Sequence, residues 1–388
     1  MLNQAQFDLQ SISEFASGSL ANCFGENYRI YEHRQVPRTP NGNLMLISRV
    51  INIEGTLGDF KAKNQITSEY DVQVNPWFID QNGSPEIPYS ILTEIALQPC
   101  GFLATYLECP MIYKEEDLCF RNLDAKAELL EKIDLRGKTI TSSAKLTRLS
   151  ASGNTIIVNF EFQLKSCGET FFEGETVFGY FPSEALKNQL GIDQGMKKAP
   201  WFKENKIPLI QAIYIDLLKD ADSEKYLKSY DTQPYYKSGN NQLNFLDQLL
   251  VYPEKGDYKL GYIYGLKKND PTSWFYPCHF FGDPVMPGSL GIEAMLQTIR
   301  VFALEQGLGK QFESPYFTNL LNRTTWKYRG QIVPEDKIMT LEMHIKIIER
   351  RKDRVDIIGD GSLWKDGLRI YEVADLGVSI MDLNNSQS

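Results

Sequence analysis

Apolar and polar positions change their period along this chain, and the changes come twice in the same order. From Ser90 to Leu107, in SILTEIALQPCGFLATYL, apolar residues run almost all round, which predicts a buried helix. Extended segments follow near Leu129 to Ile133, Thr139 to Leu149, Thr155 to Leu164 and Thr170 to Tyr180. There β-branched and aromatic residues alternate with polar ones and glycines mark turns, the signature of strands. The second half repeats the order, with a helix expected from Ser289 to Glu305 and strands near Thr324 to Val333, Ile338 to Ile348, Val355 to Trp364 and Leu368 to Met381. Between the halves, from Ser183 to Gly239, the rhythm lapses. Lys197 to Lys203 and Ala221 to Asn241 are polar and turn-prone, while Leu209 to Leu218 predicts a short helix.

The repetition extends to residue identity. Ile87-Pro88-Tyr89-Ser90-Ile91-Leu92-Thr93-Glu94-Ile95-Ala96-Leu97-Gln98 aligns without a gap on Met286-Pro287-Gly288-Ser289-Leu290-Gly291-Ile292-Glu293-Ala294-Met295-Leu296-Gln297. Upstream, Pro76-Trp77-Phe78 echoes Ser273-Trp274-Phe275; downstream, Leu135-Arg136-Gly137-Lys138 echoes Tyr328-Arg329-Gly330-Gln331. Two related domains therefore stand in tandem. The expected fold class is α+β, two units at 1–185 and 241–388 joined by a linker at 186–240, each an antiparallel sheet curled around one apolar helix. Packed side by side, the units would form a pseudo-dimer within one chain.

With 388 residues the chain can bury two cores, and 42% hydrophobic content without a long uninterrupted apolar run predicts a soluble protein that does not insert into membranes. The opening MLNQAQFDLQSISEF has no basic segment followed by an apolar one, so an ordinary signal peptide is not expected. Six cysteines without a C-x-x-C pair, beside three histidines, do not compose a zinc site, and no metal is expected. A cytoplasmic location fits that usage. A formal charge of −9 argues against nucleic-acid binding. The densest basic run, Arg350-Arg351-Lys352 with Arg354, reads first as a solvated strand-connecting turn and second as a docking point for an acidic partner.

The chemistry concentrates between Trp274 and Gln297. His279 ends an aromatic-rich run, and Asp283-Pro284-Val285-Met286-Pro287-Gly288 then makes a turn in which two prolines fix φ. That turn opens a helix, whose first N–H groups lack intrahelical acceptors and can receive negative charge. A base beside such a site suits proton abstraction next to a carbonyl. The first copy has no histidine at the matching place: aligning the helix segments sets Asp80 opposite His279, aligning the Trp-Phe pairs sets Asn82 there, and Tyr89 replaces Gly288. Gln98 lies one helical turn beyond Glu94, on the same face, where it can orient the carboxyl group. Cys278 adjoins His279, but neighbouring residues of an extended chain face opposite ways, so covalent catalysis through it is not expected. His33 and His344 read as structural or exposed.

This segment, together with Trp326 to Ile380 and its Gly359-Asp360-Gly361 and Ala374-Asp375-Leu376-Gly377 runs, resembles the β-hydroxydecanoyl-thioester dehydratase/isomerase family of hot-dog-fold enzymes. Glutamate at position 293 and Ser289 beside Gly288 make it more similar to the dehydratase domains of polyunsaturated fatty acid and polyketide-type synthases. The resemblance implies a double hot-dog fold, with His279 as base, the Gly288 N–H holding the thioester oxygen and the Val285 carbonyl fixing the histidine ring. It also implies that the helix carboxylate comes from the other unit, so that His279 works with Glu94. Glu293, Gln297 and Asp80 would then form a degenerate second site. The implied reaction is reversible removal of water from a 3-hydroxyacyl thioester, compatible with double-bond isomerisation and needing no cofactor. Its substrate would ride on the phosphopantetheine arm of an acyl carrier protein, with that carrier and other synthase components as partners and a further homodimer allowed. A hot-dog thioesterase and a non-catalytic acyl-binding or scaffolding module are the alternatives.

Overall fold

A computed structural model describes residues 5–61, 63–228 and 234–385. Two compact units emerge, and neither is a contiguous half of the chain. Unit 1 comprises Met1–Val74, Leu92–Gln189 and Pro271–Pro287; unit 2 comprises Asn75–Ile91, Leu190–Asp270 and Gly288–Ser388. The turn carrying His279 is thus part of the body built mainly from the first half. The corresponding segment of the first half, Asn75–Ile91, is part of the other.

Unit 1 holds an antiparallel sheet of β1 (Arg49–Glu54), β2 (Gln65–Asp71), β3 (Leu118–Leu129), β4 (Thr139–Ser152), β5 (Thr155–Ser166) and β6 (Glu169–Pro182), in the order β1-β2-β4-β5-β6-β3. Burial alternates along β5 as the period of a one-sided strand requires. The helix Tyr89–Tyr106 runs on into this unit from its Leu92 onward, and Ile95, Ala96, Cys100, Phe102, Leu103 and Ala104 are fully enclosed. Its apolar residues surround it because it has no solvent face to keep polar. Phe102 meets Phe7, Phe15 and Phe24 with ring centroids 5.1–5.5 Å apart.

Unit 2 holds β7 (Ile213–Asp216), β8 (Gln248–Tyr252), β9 (Tyr262–Lys268), β10 (Pro315–Asn319), β11 (Arg323–Tyr328), β12 (Ile338–Arg350), β13 (Arg354–Lys365) and β14 (Leu368–Asp382). Their order is β11-β14-β13-β12-β9-β8-β7, with β10 also pairing β14. The helix Gly288–Glu305 packs against β9, β12, β13 and β14, and every residue from Ser289 to Ala303 is buried. An antiparallel sheet with one enclosed helix, occurring in both units, is the α+β hot-dog arrangement expected from the chain pattern. Among the described residues no helix is long and apolar enough to cross a membrane.

Several local expectations are corrected. The strand placed near Leu129 to Ile133 is instead Leu118–Leu129, because the aromatic pairing lies upstream: Phe120 stacks on Phe178 at 4.5 Å, while Glu131, Lys132 and Asp134 follow in irregular chain. Leu209 to Leu218 is not a helix. Pro208 leads into a single 3₁₀ turn, Leu209–Gln211, and the β-branched Ile213 and Ile215 then pair with Val251 and Leu249. Within the stretch expected to be polar turns, Asp220–Leu227 forms a helix, anchored by buried Tyr226, whose hydroxyl bonds Glu305; residues 229–233 of that stretch lie outside the described residues. Of the segment 186–240, expected to serve as linker, residues 190–240 belong to unit 2, where Phe202 packs on Tyr252 and Tyr262.

Candidate active site

Within unit 1, His279 is held by its own loop. Its N–H donates to the Phe275 carbonyl (2.8 Å), its carbonyl accepts from the Val285 N–H (2.8 Å), and its ring Nδ1 lies 3.1 Å from the Val285 carbonyl oxygen. A carbonyl can only accept, so Nδ1 carries the hydrogen and Nε2 of the neutral ring keeps its lone pair. Burial pushes the ring's pKa below its ordinary 6.5; the Glu94 charge and the Val285 carbonyl pull it upward, and Arg121 lowers it further. The neutral, proton-accepting form is therefore the resting one near neutral pH.

Glu94, though in the other repeat along the chain, is in the same unit and close enough to act electrostatically on the histidine. Its side chain is buried, and Gln98 Nε2 donates to Glu94 Oε2 at 3.2 Å. Gln98 is itself tied down. Its Nε2 also donates to the Leu44 carbonyl (2.9 Å) and its Oε1 accepts from the Leu46 N–H (3.1 Å). The same segment reaches the histidine arm: the Asn41 N–H donates to the Cys278 carbonyl (2.9 Å), and Asn41 Nδ2 to the Pro277 carbonyl (3.1 Å). Residues 41–46 thus brace both the carboxylate and the arm that carries the base. On the arm's far side, Arg121 of β3 grips Asp283 through two nitrogens, each 2.7 Å from a carboxylate oxygen.

Gly288 begins its helix in unit 2. A Cβ there would fall 2.6 Å from the Tyr328 ring, so close packing alone excludes a side chain.

Unit 2 contains the counterpart of the Glu94–Gln98 pair, with altered surroundings. Gln297 again binds a bracing segment: its Nε2 donates to the Leu243 carbonyl and its Oε1 accepts from the Phe245 N–H. Glu293, fully enclosed, accepts from Ser90 Oγ (2.9 Å) and forms an ion pair with Arg300 (3.1 Å). Arg300, 2% exposed, also donates to Asn82 Oδ1 (2.8 Å) and the Ser238 carbonyl (3.2 Å). Asp80 stands outside this network, exposed to solvent. The degenerate counterpart of His279 is therefore Asn82, not Asp80. The Asn240 N–H grips the Gln81 carbonyl just as the Asn41 N–H grips that of Cys278, so Asn82 and His279 follow equivalent contacts. The helix-based alignment missed this because the step from Asn82 to Tyr89 is two residues shorter than that from His279 to Gly288.

Asn41, Arg121 and Arg300 were not found from sequence. Arg300 alone left a local signal, a charge within the apolar run Ile299-Arg300-Val301-Phe302. For Arg121 the signal is a second repeat, Phe120-Arg121-Asn122-Leu123 against Phe317-Thr318-Asn319-Leu320.

Comparison with known proteins places these features. Residues 238–374 match the FabA-like domain model. The chain is 35% identical over 382 residues to one component of the polyunsaturated fatty acid synthase of Thraustochytrium sp. (strain ATCC 26185 / S-3), covering 95% of this chain and 26% of that protein. The chain thus spans about a quarter of the length of this relative. Among solved structures, the dehydratase domain from the CurJ module of curacin polyketide synthase is similar at 11% identity and a TM-score of 0.44, covering 85% of this chain and 95% of that one. The 12:0-ACP thioesterase from Umbellularia californica is similar at 12% identity and a TM-score of 0.41, covering 81% and 96%. Likenesses so distant carry no functional weight. The family match falls on the repeat that contains His279 and Gly288.

Proposed function

We propose that the chain is the dehydratase portion of a synthase that builds fatty acyl or polyketide-type chains, removing water from a 3-hydroxyacyl thioester. The observation that carries this reading is the His279–Val285 pairing beside Glu94 in unit 1: a neutral histidine with its free nitrogen fixed, near a buried carboxyl group. His279 Nε2 takes a proton from C2, whose acidity comes from the adjoining thioester carbonyl. The electron pair forms the C2–C3 double bond as the C3–O bond breaks, and Glu94 gives a proton to the departing hydroxyl, which leaves as water. Gly288, at a helix N-terminus, is the proposed N–H donor to the thioester oxygen, on the strength of the family resemblance. Gln98 keeps the Glu94 carboxyl in place.

The name of the fatty acid synthase relative supports a fatty acyl chain as substrate, and its delivery on the phosphopantetheine arm of an acyl carrier protein is proposed from the family resemblance. No cofactor is proposed, since elimination changes no oxidation level. The test is a mass-spectrometric time course on carrier-bound 3-hydroxyacyl chains of several lengths. Loss of 18 Da, the mass of one water, with retention of the thioester is expected. Release of free acid would replace this reading with thioester hydrolysis, and absence of turnover at every length would leave an acyl-binding module.

A further inference from the structure

The Asp283 carboxylate lies four residues beyond His279, and its ion pair with Arg121 is a fork: Nη1 to Oδ2 and Nη2 to Oδ1, both at 2.7 Å. Both side chains are largely buried, 11% and 18% exposed. Two parallel charge-assisted hydrogen bonds fix orientation as well as distance. The loop they hold is closed on itself, since the Phe280 N–H donates to the Asp283 carbonyl (3.0 Å) and the Asp283 N–H to the Phe280 carbonyl (3.1 Å). The Arg121 guanidinium also lies 5.9 Å from the centre of the Phe280 ring, the residue next to the histidine.

Unit 2 has its own version of this grip at the equivalent strand position. Thr318, which matches Arg121 in the repeated Phe-x-Asn-Leu, donates from Oγ1 to Glu86 Oε1 (2.5 Å), and the Asn319 N–H donates to Glu86 Oε2 (2.8 Å). In both units, then, this strand position seizes an acidic residue in the loop that precedes a long helix. Only where that loop carries a histidine is the grip a charged fork.

We propose that Arg121 is a positioning residue for His279, acting through Asp283 to hold the histidine arm rigidly on the body of unit 1. This rests on the dehydratase reading for its kinetic consequence, though not for its structural one. Asn41 secures the arm on the near side of the histidine and Arg121 on the far side. The charges of Glu94, Arg121 and Asp283 act on the ring, whose Nδ1 meets the Val285 carbonyl.

The test uses Arg121→Ala, Arg121→Lys, Asp283→Arg and the swapped pair Arg121→Asp/Asp283→Arg in the full chain. Misplacing a base by about an ångström can cost on the order of 10²-fold in rate, so Arg121→Ala should lower kcat by roughly 10- to 100-fold with KM little changed. Arg121→Lys, which keeps charge but not the fork, should fall between it and wild type. The swapped pair should recover at least about tenfold over Asp283→Arg alone. A second readout needs no turnover: with histidine labelled for nuclear magnetic resonance, the His279 titration midpoint should rise in Arg121→Ala, because a cation that lowers it is gone and the ring is less enclosed. An Arg121→Ala chain with kcat within about twofold of wild type and an unmoved midpoint overturns the proposal. Should Arg121→Ala fail to fold, the swapped pair decides: folded but no more active than Asp283→Arg, it overturns the proposal, and recovery supports it. Should wild type give no enoyl thioester, the dehydratase reading fails, while the histidine titration still decides the clamp.

Discussion

Unit 1 and unit 2 each bury a helix glutamate with a glutamine one turn later, and each glutamine is fixed by a carbonyl and an N–H of a preceding segment. Their chemistry around that glutamate diverges. Where unit 1 has His279, unit 2 has Asn82; where the first helix has Gly101, the second has Arg300. Gly101 leaves room that the Phe120 ring approaches, a Cβ there coming within 3.3 Å. Arg300 instead drives a guanidinium onto Glu293 and Asn82. A carboxylate held in an ion pair has no proton to give, and neutralising it would leave the buried Arg300 charge without its partner. On the proposed reading, the same scaffold holds a proton-transfer pair in one unit and a structural salt bridge in the other.

The strongest way to break this contrast is to remove its most distinctive group. His279→Ala should reduce dehydration by about 10²- to 10⁴-fold, the usual contribution of general acid–base catalysis, measured as enoyl-thioester formation. Glu94→Gln should fall in the same range, whereas Glu293→Gln should retain substantial turnover if folded. Persistence in Glu94→Gln with loss in Glu293→Gln would invert the assignment of the units.

Stability should show the opposite asymmetry. Arg300→Leu leaves Glu293 buried without its partner and should cost about 3–5 kcal/mol by urea denaturation, while Glu293→Leu/Arg300→Leu together should regain most of that loss. If Arg300→Leu alone is neutral, the ion pair contributes nothing to stability.

The pH profile sharpens the role of His279. Its pKa is held below 6.5, so the fraction of neutral base falls only at lower pH, and the acid limb of kcat/KM should lie below that of an ordinary histidine. Removing the Glu94 charge, which raises the ring's pKa, should move the histidine's nuclear magnetic resonance midpoint lower still. An upward movement would show that Glu94 does not raise the ring's pKa. The smallest effect is expected from Asp80→Asn, which lies outside the Glu293 network: turnover should stay within about twofold.

Much of this was legible in the chain itself. Periodicity marked both long helices to within one residue at each end, because a helix enclosed on all sides must be apolar on all sides, and that pattern is local. The repeat around Glu94 and Glu293, the single motif histidine and the Gly288 turn are likewise written in adjacent residues. One strand moved upstream to Leu118–Leu129, and Ile213–Asp216, expected within a helix, became a strand, because distant pairing partners decided both. What only the tertiary structure decided were the contacts between residues far apart in sequence: Asn41 on Pro277, Arg121 on Asp283, and Arg300 on Asn82. Each is one polar side chain meeting one distant group. Such a contact leaves no period in the chain, since its energy depends on where folding brings its partner and not on the residues beside it.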